Sequence, residues 1–241
     1  MIINLWSTPR TGSTWYTKFL RTQYPGSLVI NEIFTTYPTP LYFFPEENGN
    51  LRLEREYKIG CFFDRLEEEN GRLKVVSIFG PNSIPLLEGV DRSLELIRNR
   101  DPDQLLIMHN HVAPIPEHAR VQLTAMADKN IYIHRLDKRL QLASLAIALS
   151  TRRFNAYNEA GLSTGPVADI GRGPLVYLME RIKFWDSIPN KEEVIAYENI
   201  KFFDLVQNSP KKLNDNHYAR LSPAIKEIIE ELVSDYEKTT V

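Results

Sequence analysis

Residues 2–20 read Ile-Ile-Asn-Leu-Trp-Ser-Thr-Pro-Arg-Thr-Gly-Ser-Thr-Trp-Tyr-Thr-Lys-Phe-Leu, and this stretch constrains the fold more than any other. Ile2, Ile3, Leu5 and Trp6 form an apolar run suited to a buried strand, and Thr8-Pro9 breaks it. Arg10, Thr11, Gly12, Ser13 and Thr14 follow as a short polar loop. Trp15, Tyr16, Phe19 and Leu20 then recur at helical spacing. A strand, a tight loop and a helix in that order aim the helix's free N–H groups and positive dipole end back into the loop. Gly12 allows close backbone approach, Ser13 and Thr14 supply hydroxyls, and Arg10 adds a fixed charge. These residues describe an anion cradle for phosphate or sulfate. It is not a nucleotide-triphosphatase loop, because the opening glycine of that pattern is missing and Ser13 follows Gly12 where its lysine belongs.

The remainder of the chain alternates strands with helices. Leu28-Val29-Ile30 reads as a second strand that delivers Asn31 and Glu32 to its C-terminal end, where open α/β sheets bind ligands. Residues 35–50, with three prolines and Tyr37, Tyr42, Phe43 and Phe44, read as an irregular loop. The charged stretch from Leu51 to Asn70 reads as a helix, Lys74 to Phe79 as a strand, and Asp91 to Arg98 as a helix. Leu105 to Met108 is a buried strand leading into His109, Asn110 and His111. Pro116 to Met126 is a helix, and Ile131 to Ile133 is another strand. A helix over Asp137 to Leu149 places Leu140, Ala143, Ser144 and Ile147 on one face. Residues 150–174 are polar with no period. Pro174 opens an amphipathic helix, Glu193 to Tyr197 is the last strand, and Ser222-Pro223 caps the final helix. The alternation predicts an α/β fold of three α/β/α layers with a mostly parallel central sheet. With 241 residues and no clear boundary, residues 1–241 read as a single domain.

Composition narrows the function classes. A formal charge of −2 argues against a broad nucleic-acid surface, so an anionic ligand must be met by locally placed arginines. Cys61 is the only cysteine, which rules out an intrachain disulfide. No apolar run approaches the roughly 20 residues that span a bilayer, and with the first strand read from residue 2 no leader is expected, unless a membrane anchor was removed from a longer parent. The expectation is a cytoplasmic protein with neither a membrane nor a nucleic-acid partner. A second anion site comes from Ile131 to Asp137, which set Arg135 where a strand gives way to a helix carrying Ser144. Two anion sites on one sheet suit a nucleotide with phosphate at both ends.

Three segments together carry a resemblance. Ser7 to Trp15 resembles the 5′-phosphosulfate loop of sulfotransferases, which use 3′-phosphoadenosine 5′-phosphosulfate (PAPS). His134 to Ala148 resembles their 3′-phosphate motif, and the order Arg135, Asp137, Gln141, Ala143, Ser144 is closest in style to the bacterial trehalose 2-sulfotransferase group. Val194 to Asn199 is similar to the family's Tyr-Glu-Asp segment. The resemblance covers about residues 2–32 and 105–205. It implies a P-loop-like fold and sulfuryl transfer to a hydroxyl of a carbohydrate or other small molecule, without metal. Adenosine 3′,5′-bisphosphate would be the nucleotide product. It gives Arg10, Thr11, Gly12, Ser13 and Thr14 to the 5′ end, Trp15 and Tyr197 to the base, and Arg135 and Ser144 to the 3′-phosphate. As catalytic base it implies Glu32, with His111 the rival through a likeness of Leu106 to Pro114 to the cytosolic enzymes' Lys-Thr-His-Leu-Pro segment. The Arg-Lys-Gly loop of eukaryotic members is missing, and Arg153, Arg172 and Arg220 are candidate substitutes. Residues 35–104 carry no part of the likeness; acceptor recognition is expected there and in 150–174. The alternatives are a magnesium-dependent small-molecule kinase, against which the missing loop lysine argues, and a non-catalytic nucleotide-binding protein.

Overall fold

The computed structural model describes residues 1–31, 43–45, 51–53, 64–77, 86–112, 115–151, 170–200 and 218–239. Its centre is β1 (Ile2–Ser7), buried along its whole length. Side chains alternate across a strand. Ile3 and Leu5 therefore meet α1 (Ser13–Gln23), while Ile2 and Trp6 meet α2 (Leu86–Asn99) and α3 (Glu117–Met126) on the opposite face. Five strands run parallel in the order β2 (Leu28–Asn31), β7 (Leu106–His111), β1, β8 (Lys129–His134), β9 (Glu193–Ala196). Helices cover both faces, so the inner strands read as continuous apolar runs. β7 continues through His109, Asn110 and His111, three residues beyond the apolar run of the sequence.

Polar side chains cross the interior of this sheet. Asn110 Nδ2 donates to Asn4 Oδ1 at 3.0 Å, Trp6 Nε1 donates to Asn130 Oδ1 at 3.2 Å, and Asn130 Nδ2 donates to the Thr124 carbonyl at 3.0 Å. Asn4 pairs with Asn130 in register, so the three central strands β7, β1 and β8 are linked through amides as well as backbone.

The helix expected over residues 51–70 is corrected by the structure. Leu51–Leu53 is β4, antiparallel to β3 (Phe43–Pro45), and Asp64–Glu69 is β5, antiparallel to β6 (Arg72–Ser77). Local turn chemistry decides the second pair. Asn70 and Gly71 sit at φ 54° and 78°, the two left-handed positions of a tight hairpin turn. Leu66 and Leu73 point inward to the α2 side of the core, and Lys74 lies between Glu67 and Glu69 on the solvent face.

Helix α4 (Lys138–Thr151) is also more enclosed than a one-faced stripe predicts. It is buried all round from Gln141 to Leu149, because α5 (Arg172–Ser187) and α7 (Pro223–Thr239) pack against it in a second apolar cluster. Helix α5 begins at Arg172 with Pro174 in its first turn, where a missing N–H does no harm. Ser222 Oγ accepts from the Ile225 N–H and caps α7 as expected.

Candidate functional site

The chain leaves β1 toward α1 on one face of the sheet, while β7 leads to α3 on the other. The C-terminal edge of a parallel sheet is open to a ligand at such a divergence. The loop at this point, Thr8 to Gly12, has Arg10 at φ 68° and Gly12 at φ 77°, both left-handed. Gly12 stands immediately before α1, and its carbonyl accepts from the Trp15 and Tyr16 N–H groups at 2.9 and 3.2 Å. Among the described residues no side chain caps this helix start, so its leading N–H groups face the loop. Gly12 is required for space as well as conformation. A Cβ there would lie 2.4 Å from a ring carbon of Tyr197, the first residue of α6 (Tyr197–Ile200). Thr11 is buried and donates its hydroxyl to the Thr8 carbonyl at 2.9 Å, so it shapes the loop from within. Ser13 is buried and Thr14 partly so. Trp15 packs along the α1 side of the core with the Lys18 ammonium 4.6 Å from its ring centre.

Two arginines meet beside this loop. Arg135, the residue after β8, is 6% exposed, and its guanidinium carbon lies 4.5 Å from the Tyr197 ring centre. Arg10 donates from Nε to Ser144 Oγ at 3.1 Å. The Arg10 guanidinium is enclosed although the residue as a whole keeps some exposure. Burial first, and the charge of Arg135 second, bring its pKa down to about 10. The sequence gives Arg10 to one anion site and Arg135 with Ser144 to another; the structure joins them, with Ser144 bonded to Arg10 and Tyr197 spanning Gly12 and Arg135. Glu198 adds a carboxylate at the start of α4, accepting from the Leu136 and Asp137 N–H groups at 3.2 and 3.5 Å.

The base candidates lie at the same edge. Ser7 Oγ sits 2.9 Å from His109 Nε2 and 3.1 Å from His111 Nδ1, and the two rings meet edge to face at 5.1 Å. His109 is buried, whereas His111 is partly exposed. In register Asn31 stands beside His109, and Glu32 lies outside the described residues. Ser7, Asn31 and His111 end β1, β2 and β7 at this edge, and Arg135 and Tyr197 are the first residues past the ends of β8 and β9.

The other residues considered from the sequence are placed elsewhere or not described. Arg172 pairs with Glu231 on α7, and Arg220 lies in a 3-10 turn before that helix. Arg153 and His217 lie outside the described residues, as do most of residues 35–63 and 152–169. His118 pairs with Asp91 on the surface. His134 stacks on Trp185 at 5.0 Å, and burial pushes its pKa down, with Lys138 adding to the effect. Ser7 and Gln141 are among the residues of the edge that sequence reasoning did not single out as site residues. The second had a signal, since it stands one helical turn before Ser144 and shares its face. Neither the family models nor the curated proteins compared with this chain contain a match to it.

Proposed function

We propose that this protein is a sulfotransferase of P-loop-like fold that moves a sulfuryl group from PAPS to a hydroxyl of a carbohydrate or other small metabolite. One observation carries the reading. Arg10 and Arg135 converge beside a glycine-walled loop at the start of α1, with Ser144 bonded to Arg10 and Tyr197 lying over Gly12. Two enclosed cations side by side, one of them lowering the pKa of the other, suit a ligand with several negative charges. Counted along the sheet, the parallel strands run 2-3-1-4-5 with the anion loop after the central first strand, which supports the P-loop-like type.

PAPS supplies an activated sulfuryl group on a phosphate leaving group. On the protein side, Arg10 and the α1 N-terminus would stabilise charge gathering on the leaving phosphate oxygen. Arg135 would hold the 3′-phosphate, and Tyr197 and Trp15 are the aromatic groups for the base. The acceptor O–H bond breaks as its oxygen takes the sulfuryl group, and the proton passes to a base. Glu32 is the first choice for that base and His111, against Ser7, the second. The test is binding of adenosine 3′,5′-bisphosphate in the presence of EDTA, read as a rise in melting temperature. A ligand seen only by the native state stabilises it by about 2.7 kcal/mol at a hundredfold excess over its Kd. A shift seen only with ATP and magnesium would overturn the proposal in favour of a kinase.

A further inference from the structure

Helix α4 grips three consecutive residues of the anion loop through two side chains one turn apart. Gln141, 0% exposed, donates from Nε2 to Thr8 Oγ1 at 2.9 Å and to the Pro9 carbonyl at 2.7 Å. Ser144, 5% exposed, accepts from Arg10 Nε at 3.1 Å. Only the donor end of the Gln141 amide is used: its Oε1 is buried with no hydrogen-bond partner among the described residues. An unsatisfied buried acceptor is unfavourable, and its retention indicates that the other end of the group is needed where it is.

What the grip opposes is visible in the same place. Arg10 occupies a left-handed conformation that a side chain rarely adopts. Its guanidinium is enclosed and repelled by that of Arg135. Left to itself, the loop would relax φ at Arg10 and turn the guanidinium outward, away from both the buried environment and the second cation. The loop also has an inner brace, since the Thr8 carbonyl accepts from Thr11 Oγ1. That brace acts within the loop and does not fix it relative to Arg135. Helix α4 does, because it starts three residues after Arg135 and carries Gln141 and Ser144 on the side facing the loop.

We infer that Gln141 is a positioning residue that holds the Thr8-Pro9-Arg10 segment so that Arg10 and Arg135 face one polyanionic ligand together. Its role is preorganisation: the arginines stand side by side before the ligand arrives, and binding need not supply the work of bringing them together. The inference rests on the proposed donor site for the identity of its natural ligand but not for the geometry, so the test uses two probes, adenosine 3′,5′-bisphosphate and inorganic pyrophosphate.

Gln141→Met keeps the length and removes both donors. Thr8→Val removes one acceptor, leaves the Gln141–Pro9 bond intact, and keeps the test open should the first variant fail to fold. Calorimetry on the folded variants should show each probe binding about tenfold more weakly to Gln141→Met, as expected for two lost hydrogen bonds of ordinary strength, and a smaller loss for Thr8→Val. The decisive readout is the pairing with Arg10→Gln. A positioning residue has nothing left to position once Arg10 is gone, so the double variant should bind no more weakly than Arg10→Gln alone. A residue that merely stabilises the fold would give losses that multiply. Dependence on Gln141 with pyrophosphate, together with no preference for the bisphosphate, would support the inference while removing the donor-site reading. The inference is overturned if either folded variant binds both probes as the unaltered protein does, if the losses multiply, or if the unaltered protein binds neither probe.

Discussion

Arg10→Gln should make the ligand-free protein more stable while weakening, without abolishing, its binding of adenosine 3′,5′-bisphosphate. Arg10's fall from the ordinary guanidinium range to about 10 corresponds to roughly 3 kcal/mol against folding, at 1.36 kcal/mol per tenfold. Glutamine removes that charge and also the bond to Ser144, which at about 1–1.5 kcal/mol offsets part of the gain. The remainder, about 1.5–2 kcal/mol, is worth about 3–8 °C in melting temperature for a chain of this size. The pH dependence has a definite sign. A cation whose pKa is depressed on folding opposes folding fully below the folded value, and the opposition fades only as pH rises through it. The gap between variant and unaltered protein should therefore stay flat from pH 6 to 9 and narrow above about 10. Scanning calorimetry in a buffer free of phosphate and sulfate measures it, with and without the bisphosphate. A lower melting temperature for Arg10→Gln in the ligand-free scan would refute the reasoning, because it would mean that the guanidinium is already compensated within the fold.

Three further outcomes are expected. Arg135→Ala should weaken adenosine 3′,5′-bisphosphate much more than adenosine 5′-phosphate, because a charge-assisted bond to the 3′-phosphate is lost; equal losses would remove Arg135 from that end. Gly12→Ala should abolish nucleotide binding, and Tyr197→Ala added to it should restore fold more than affinity, since φ 77° stays strained when the 2.4 Å clash is relieved. Glu32→Gln should lower turnover by about 10²–10⁴-fold with binding retained, whereas His111→Asn should raise KM more than it lowers turnover; the reverse pattern would make His111 the base.

The strand, loop and helix of residues 2–23 were legible because each is set by neighbours in sequence: a continuous apolar run, a Thr-Pro break and aromatic residues at helical spacing. The parallel strands were legible for the same reason. The hairpin over 64–77 was misread because Glu67, Glu68 and Glu69 resemble a solvated helix face, while the deciding signal was the single pair Asn70-Gly71. The enclosure of α4 could not be read, since it depends on α7, far along the chain. The meeting of Arg10 with Ser144 and of Gln141 with Thr8 joins segments more than 130 residues apart, and no local pattern encodes such a bond. Both ends of the contact could be recognised as polar and well placed, but not as partners.

The amides of Asn4, Asn110 and Asn130 bear on how this sheet assembles. Parallel pairing between segments some hundred residues apart is slow to form and offers competing registers, each burying much the same Ile and Leu surface. A slip by one residue turns Asn4 to the α1 face and leaves amides in apolar surroundings with no partner, at about 1–3 kcal/mol for each unmatched group. The amides thus act as a proofreading step in folding, one that apolar packing alone would perform weakly. Its effect reaches the far ends of the strands. Ser7, His111 and Ile133 arrive level with one another, with Arg135 two residues further on, because residues well below them disfavour a one-residue slip.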